Sequence, residues 1–307
     1  MRILITGAKG FIGSALVKEL NEITTHEIYG TEEDVTDLSS VDSIFRFQPH
    51  YVYHLVTKNS DKLSHFVRMN TYSNNFIGTA NIVDACVNSG VKKLIFMSSA
   101  AVYQQTFESL TEESKLDPET PYGISKLASE LDIKAASKKF GLKYTIFRPH
   151  IIFGEGQIYK NHRNVVAMFI HKILNDEVIP IYGNGEQNCC FSYITDIVQT
   201  LYEASDNKDS DNQTINIRGV CCSLNSLINV IESYLGKKAK VEYHNGFNNL
   251  NYRLDEYKAQ AIFAIHRVPF ESAIKYTIDW YKTQDFKKQV KTDIEYEITK
   301  DLPENWK

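Results

Sequence analysis

A glycine-rich turn near the N-terminus constrains the fold of this 307-residue chain more than any other feature of its sequence. Residues 2–6 form a short apolar run that predicts a β-strand, and Gly7, Gly10 and Gly13 follow it at regular intervals. Residues 11–22 then show the apolar spacing of a helix. This order brings backbone N–H groups and the positive end of the helix dipole towards an anion such as a pyrophosphate. The spacing departs from the commoner Gly-x-Gly-x-x-Gly pattern, but its position directly after the first strand predicts a dinucleotide-binding turn.

The residues after the second predicted strand, 27–31, indicate which dinucleotide binds. Glu32 lies about 20 residues beyond the glycines, where an acidic side chain can accept hydrogen bonds from a ribose 2′-hydroxyl. Since no Arg or Lys lies beside it to take a 2′-phosphate, the sequence favours NAD and leaves NADP open. Asp34 and Val35 follow, and Asp34 could accept a hydrogen bond from an adenine amino group. Phe11 and Ile12, at the helix start, complete the predicted cofactor contacts.

Strands and helices alternate throughout the first half of the chain. This alternation predicts an α/β fold, a Rossmann-type doubly wound parallel sheet whose ligands lie at the carboxyl ends of its strands. After Gly154 the pattern becomes less regular and predicts a smaller C-terminal substrate-binding domain. The predicted later elements of the first half are helices over 38–47, 70–88 and 121–139 and strands over 51–56, 93–98 and 143–148. The predicted divisions are an NAD(P)-binding domain over 1–154 with a return segment near 187–218, a mainly substrate-binding domain over 155–283, and a tail over 284–307.

Three side chains at the predicted carboxyl edge of the sheet suit proton transfer. Tyr122 and Lys126 are four residues apart in a predicted helix and therefore share one face. A neighbouring ammonium favours the phenolate and lowers the pKa of a tyrosine, which is ordinarily about 10. Ser98 and Ser99 directly follow the fourth strand, so a hydroxyl lies at the same edge. The combination predicts a site that moves a proton on and off a hydroxyl group.

Taken together and in order, these motifs resemble the extended short-chain dehydrogenase/reductase family, in its nucleotide-sugar epimerase/dehydratase branch. The resemblance implies that Tyr122 is the catalytic base, that Lys126 binds the nicotinamide ribose and that Ser99 hydrogen-bonds the reacting sugar hydroxyl. It also implies that Asn75 orders the cofactor side of the sheet, and that two copies form a homodimer through the helices over 70–88 and 121–139. The resemblance extends to about Lys282, and the matching segments are 6–13, 75–79, 98–103, 121–126, 148–149 with 154, 183–185 and 191–196.

Several positions depart from the pattern of the branch. Ala100 and Ala101 stand where the 4,6-dehydratases carry Asp-Glu, which argues against dehydration because no acid is present to expel water. Ile151 stands where many epimerases have Asn. Cys189 and Cys190 stand where many members have Arg-Asp, and that Arg contacts the substrate phosphate.

A diphosphate substrate would therefore need another cation in this chain. Arg253 is the first candidate, because it precedes Leu254-Asp255 late in the chain, where family members often place a phosphate-binding Arg. Arg163 is the second candidate. His150 is predicted to line the nicotinamide pocket beside the substrate.

The resemblance favours an NAD-dependent epimerase of a nucleotide-diphosphate sugar, in which a hydride leaves and returns to one sugar carbon. An NAD(P)H-dependent reductase of a 4-keto nucleotide sugar stays open, and so does a non-catalytic cofactor-sensing protein. The net charge of −4 gives no reason to expect nucleic acid, and no apolar run approaches the length of a membrane span. Five cysteines, two pairs of them vicinal, indicate small buried side chains in a reducing cytoplasm. No metal-binding motif is present.

Overall fold

The computed structural model describes residues 1–58, 60–104, 106, 108–159, 164–245, 253–284 and 294–302. Its strands are β1 (Arg2–Thr6), β2 (Glu27–Thr31), β3 (Tyr51–His54), β4 (Lys93–Met97), β5 (Ser109–Leu110), β6 (Lys143–Pro149), β7 (Ile151–Phe153), β8 (Val178–Tyr182), β9 (Asn188–Tyr193), β10 (Gln213–Ile217), β11 (Val220–Ser223), β12 (Lys240–His244) and β13 (Arg253–Leu254). Its α-helices are α1 (Phe11–Ile23), α2 (Leu38–Phe45), α3 (Arg68–Tyr72), α4 (Gly78–Asn88), α5 (Pro121–Phe140), α6 (Val165–Leu174), α7 (Ile194–Asp206), α8 (Leu224–Leu235), α9 (Tyr257–Ile262) and α10 (Phe270–Thr283).

The main sheet has six parallel strands in the spatial order β2-β1-β3-β4-β6-β10. The chain runs outward from β1 to β2 and then crosses to β3 on the other side, so the strand order reverses between β1 and β3. A crevice outside the carboxyl ends of these two strands is the usual ligand site of such a sheet. The predicted α/β, Rossmann-type architecture is confirmed.

Alternate residues of the central strands are buried on opposite faces of the sheet. Ile3 and Ile5 belong to a core shared with α1, α7 and the C-terminal half of the chain. Leu4 and Val52 belong to a second core, shared with α2, α4 and α5. Burial on both faces makes these strands continuously apolar, which explains why their predicted limits agree closely with the structure.

The helical run predicted over 70–88 begins earlier than expected and contains an irregular turn. It consists of α3, a π-helical segment over Ser73–Ile77 and α4, which follow one another without a break. The predicted helix over 38–47 ends at Phe45, because Gln48 has a φ of 51° and Pro49 cannot continue a helix.

The later part of the chain forms smaller sheets. β11, β9 and β7 make a three-stranded sheet, and β12 pairs with β8. β10 joins the main sheet beside β6. The division into domains at 154 and 283 stays a prediction.

The antiparallel register of β9 and β11 places Cys190 directly opposite Cys221 and Cys189 opposite Cys222. Cys190 and Cys221 form a disulfide. The expectation that these cysteines are only small buried residues is therefore wrong for this pair, because the strand pairing that joins them is not visible in the sequence. Cys189 and Cys86 are buried free thiols, as expected. Among the described residues, no helix is long and apolar enough to cross a membrane, and the cytoplasmic location stays a prediction.

Candidate active site

The glycine-rich turn packs so tightly that it excludes side chains. Gly7 has a φ of +73°, and the N–H groups of Gly7 and Ala8 donate to Thr31 O at 3.0 and 3.1 Å. A Cβ added at Gly13 would lie 2.9 Å from Ala8 Cα and closer still to Gly7 O. Gly10 caps α1 without any side-chain hydrogen bond, so no side chain covers the N–H groups of the first helical turn. This cradle fits the pyrophosphate of a dinucleotide.

The acidic residues after β2 lie beside this turn. A Glu32 Oε1 atom accepts a hydrogen bond from the Lys9 N–H, which fixes the carboxylate at the end of the strand as predicted. Asp34 Oδ1 instead accepts from Thr36 N and Oγ1, at 2.8 and 2.7 Å. These bonds, chiefly that of the hydroxyl, lower the pKa of Asp34 below its usual value. The side chain of Val35 is buried in the core, so it cannot meet a ligand directly.

Asn75 ties the π-helical segment to the loop after β3. Its Oδ1 accepts from Lys58 N at 2.8 Å and its Nδ2 donates to Lys58 O at 3.0 Å. Nδ2 also lies 3.3 Å from Ser125 Oγ in α5. Asn75 is therefore buried between the loop after β3, which we call the switch-point loop, and the helix that carries the predicted tyrosine and lysine. Phe11 and Ile12 lie half-buried at the start of α1.

The two serines after β4 have different environments. Ser98 is buried and its Oγ donates to Glu130 Oε1 at 2.5 Å. Ser99 is only partly buried and caps a short 3-10 turn over Ala100–Val102, its Oγ accepting from Ala101 N at 3.1 Å. Ser99 is thus the hydroxyl available at the sheet edge.

Tyr122 and Lys126 lie in the first turns of α5, as predicted. Thr120 caps the helix by accepting from Gly123 N at 3.1 Å, and Pro121 occupies its first position. Lys126 is buried, its Nζ donates to Met97 O at 2.8 Å, and it lies 5.9 Å from the centre of the Tyr122 ring. Burial lowers the pKa of Lys126 to about 7, a shift that Glu130 partly opposes.

Gly123 allows α5 to approach the turn that carries Ser99. A Cβ added there would meet Ala101 O and would lie 2.9 Å from Pro118 Cβ. The start of α5 is thus packed closely against the turn over Ala100–Val102 that Ser99 caps.

Two residues near this site are missing from the sequence-based prediction. Glu130 is fully buried and accepts from Arg148 at both carboxylate oxygens, at 2.9 and 2.5 Å. It lies four residues after Lys126, so the repeat of the Tyr122–Lys126 spacing could have revealed it. Ser64 Oγ accepts from the Tyr122 N–H at 3.1 Å, and no sequence signal indicates that contact.

The predicted substrate residues are dispersed. His150 Nδ1 accepts from Cys190 N at 3.1 Å, and burial lowers the pKa of His150 to about 4, so the ring is neutral at pH 7. Arg253 is exposed in β13, which pairs with β5, and lines a cavity of about 370 Å³ that none of the predicted catalytic side chains reaches. Arg163 lies outside the described residues. Within the described ranges, no cluster of His, Cys, Asp or Glu could hold a metal ion.

A polar hydroxyl, a tyrosine and a buried amine thus lie at one edge of a sheet that also carries a dinucleotide cradle. Such a site can remove a proton from an alcohol while a bound nicotinamide takes the hydride from its carbon.

Solved structures of similar proteins have the same architecture. A UDP-glucose 4-epimerase from Thermotoga maritima, solved with UDP-glucose, is 27% identical and superposes with a TM-score of 0.86, over 92% of this chain and 99% of its own. A UDP-glucuronic acid 4-epimerase from Bacillus cereus, solved with NAD, is 25% identical, with a TM-score of 0.82 and the same coverage.

The chain is also similar to a dTDP-4-dehydro-6-deoxyglucose reductase of Escherichia coli, at 27% identity over 79% of this chain and 84% of that protein. The model of the NAD dependent epimerase/dehydratase family matches residues 3–217, which span the glycine-rich turn, the catalytic helix and all six strands of the main sheet. This chain therefore belongs to the NAD dependent epimerase/dehydratase family.

Proposed function

We propose that this protein is an NAD-dependent epimerase of a UDP-linked sugar, acting at the hydroxyl-bearing carbon C4. The observation that carries the proposal is the arrangement of Tyr122, Lys126 and Ser99 at the edge of the sheet beside the glycine-rich turn. The solved relatives named for 4-epimerisation of UDP-sugars support the choice of substrate.

In this mechanism Tyr122 accepts the proton of the sugar hydroxyl and later returns it. Protonated Lys126 next to the ring lowers the pKa of the phenol and so prepares the base. Ser99 donates to or accepts from the reacting hydroxyl and fixes its position. NAD held at the glycine-rich turn would supply the hydride acceptor and donor for the sugar carbon. Inversion requires that the ketone rotate in the pocket before the hydride returns to its other face.

The cofactor contacts follow from the cradle. The Gly10 N–H donates to Gly7 O at 3.0 Å and holds the turn together. The N–H groups at Phe11 and Ile12 would hold the pyrophosphate, and Gly7 and Gly13 leave room for it. Glu32 would accept from the adenosine ribose. Asn75 would keep the switch-point loop in place.

The adenine end would be formed by Asp34 and Val35. Because Thr36 occupies Asp34 Oδ1, only Oδ2 of Asp34 would remain for the adenine amino group, with the backbone of Val35 beside it. Ordered contacts at this end would depend on the backbone rather than on the buried Val35 side chain.

Contacts to the substrate are proposed for three further residues. His150, neutral and half-buried, would line the pocket beside the nicotinamide. Arg253 would contact the diphosphate, and Arg218 lines the same cavity and offers a second guanidinium group. Loss of UDP binding in Arg253→Ala or Arg218→Ala, measured by calorimetry, would support this role, and unchanged binding in both would exclude it.

The second candidate is a reductase of a 4-keto nucleotide sugar, favoured by the similarity to the Escherichia coli reductase. It would use the same side chains but consume reduced cofactor. A cofactor-sensing protein without turnover is less well supported, because Ser99, Tyr122 and Lys126 are all present.

We also propose a homodimer formed through the run from α3 to α4 and through α5. Five large apolar side chains on these helices are exposed by 42–67%, namely Met69, Ile77, Ile124, Leu131 and Phe140. Two copies of the chain would bury them against each other. Leu131→Arg should give a monomer in sedimentation, whereas Tyr276→Arg, an exposed site on α10, should leave the dimer intact.

The test of the proposed reaction is a panel of UDP- and dTDP-linked sugars, with products separated by chromatography. Epimerisation of a UDP-sugar without change in NADH absorbance supports the proposal. Consumption of NADH or NADPH with a 4-keto sugar supports the reductase instead, and no turnover of any member of the panel contradicts both.

A further inference from the structure

The end of the chain contacts the helical run that borders the catalytic helix. We call residues 294–302 the C-terminal arm. The backbone N–H groups of Glu297 and Ile298 both donate to Phe66 O, at 2.8 and 3.1 Å. Leu302, at the end of the arm, is buried. The arm therefore packs on the segment just before α3.

The arm supplies a cap that the helix itself lacks. Val67, the N-cap residue of α3, makes no side-chain capping bond. The first N–H groups of a helix have no intrahelical partner. Glu297 Oε2 accepts from Met69 N and Oε1 from Asn70 N, each at 2.7 Å. A carboxylate at this end of a helix is also stabilised by the helix dipole.

The residues before and after the capped start of α3 both contact α5, the helix that carries Tyr122 and Lys126. Two residues before Phe66, Ser64 accepts from the Tyr122 N–H at 3.1 Å. Further along the run, Asn75 contacts Ser125 of α5 and the backbone of Lys58. The cap thus lies between two contacts that position α5 and the cofactor loop.

The solved relatives leave part of this chain unmatched. The solved epimerases cover 92% of this chain but 99% of their own length. The unmatched 8% corresponds to the length of chain beyond α10, in agreement with a sequence resemblance that ends at about Lys282.

We propose that Glu297 is a positioning residue: through its cap on α3 it keeps Ser64 and Asn75 in contact with the helix that carries Tyr122 and Lys126. The effect on turnover rests on the function proposed above, whereas the cap itself does not. The arm would make the activity of this chain depend on a segment distant in sequence from every catalytic residue.

The variants are Glu297→Ala, which removes the cap, and Glu297→Gln, which keeps one acceptor oxygen. Glu295→Ala is the matched control, because Glu295 is an exposed acid on the same arm. Removing a capping side chain shifts a local folding equilibrium by about 2- to 30-fold. The first turn of a helix opens at little cost in free energy. We therefore expect almost the whole factor to appear in the fraction of molecules in which the start of α3 is folded.

The first measurement is amide hydrogen exchange at Met69 and Asn70 in the full-length protein. We expect exchange to be faster by about 2- to 30-fold in Glu297→Ala, intermediate in Glu297→Gln and unchanged in Glu295→Ala. Equal exchange in Glu297→Ala and the wild type would overturn the cap. This measurement needs no substrate, so it decides the cap even if the proposed function fails.

The second measurement is the affinity for NAD together with kcat on the substrate found in the panel. We expect Glu297→Ala to lower kcat several-fold and to weaken NAD binding. Both quantities should recover in part in Glu297→Gln and stay at the wild-type value in Glu295→Ala. Faster exchange with wild-type kcat and NAD affinity would show a cap that does not position the site, and would overturn the proposal. If the wild type turns over no sugar, an unchanged NAD affinity in Glu297→Ala would likewise overturn the proposal.

Discussion

The contact between the catalytic helix and the serine turn leads to a prediction about Gly123→Ala. The added Cβ would lie 2.9 Å from Pro118 Cβ and closer still to Ala101 O. Ordinary carbon–carbon contacts are roughly 3.5–4.0 Å, so α5 must move by about 1 Å from the turn that carries Ser99. A displacement of about 1 Å in a catalytic group can cost about 10²-fold in rate. We therefore expect kcat to fall by up to about 100-fold while NAD affinity changes little, because the glycine-rich turn is not touched.

The effect on stability must be separated from this effect on rate. Overpacking costs about 1–3 kcal/mol, and the better helix propensity of Ala offsets about 1 kcal/mol of it. Gly141→Ala is the control, since Gly141 ends the same helix at a φ of +77° with no atom within 4 Å of the added Cβ. Its left-handed backbone should cost about 1–2 kcal/mol without moving the site.

The assay is steady-state turnover of the UDP-sugar beside thermal unfolding of each variant. A large fall in kcat for Gly123→Ala with near-normal kcat for Gly141→Ala would support the contact. Normal turnover in Gly123→Ala, or an equal fall in both variants, would refute the reasoning.

Three further predictions concern the base, the cofactor and pH. Tyr122→Phe keeps the ring but removes the proton-transfer atom, so kcat should fall by about 10²–10⁴-fold with NAD binding preserved; near-full activity in this variant would exclude the assignment. Glu32→Ala should weaken the binding of NAD by about 10- to 100-fold, because a charged hydrogen bond is lost, and should reduce the ratio of NAD affinity to NADP affinity. Glu33→Ala should change neither quantity, and competition binding of both dinucleotides checks this. His54 is fully buried between Thr6 and Thr79, and burial lowers its pKa from 6.5 to about 3. The unfolded chain binds a proton on this ring that the folded protein does not, so stability is lost as pH falls below 6.5, by about 2 kcal/mol at pH 5. Chemical denaturation at pH 8 and pH 5 should show a smaller loss in His54→Gln than in the wild type or in His266→Gln; an identical loss in all three would contradict the buried neutral state.

Local patterns in the sequence predict the parts of the site that lie on single elements. The glycine turn between β1 and α1, and the Tyr122–Lys126 pair in α5, depend on residues within one turn or one helix. The alternation of strands and helices likewise predicts the doubly wound sheet, since each strand must be buried on both faces.

Contacts between distant segments could not be predicted in this way. The ion pair of Glu130 with Arg148 depends on the position of β6, and the pairing of Cys190 with Cys221 depends on the register of β9 and β11. The sequence also does not reveal the bond from Thr36 to Asp34, or that Arg253 lines a cavity that Ser99, Tyr122 and Lys126 do not line. The sequence leaves open whether the tail packs, because the backbone groups that Glu297 contacts lie more than 200 residues away in the chain.

The central claim is that a hydride leaves one sugar carbon and returns to the same carbon. It is tested most directly with UDP-glucose carrying deuterium at C4, incubated with the purified protein in ordinary water and analysed by NMR and mass spectrometry. The account predicts a C4-epimeric product that retains the deuterium, with no net change in NAD or NADH. Loss of the deuterium to solvent, or a product formed only when reduced cofactor is added and consumed, would contradict it.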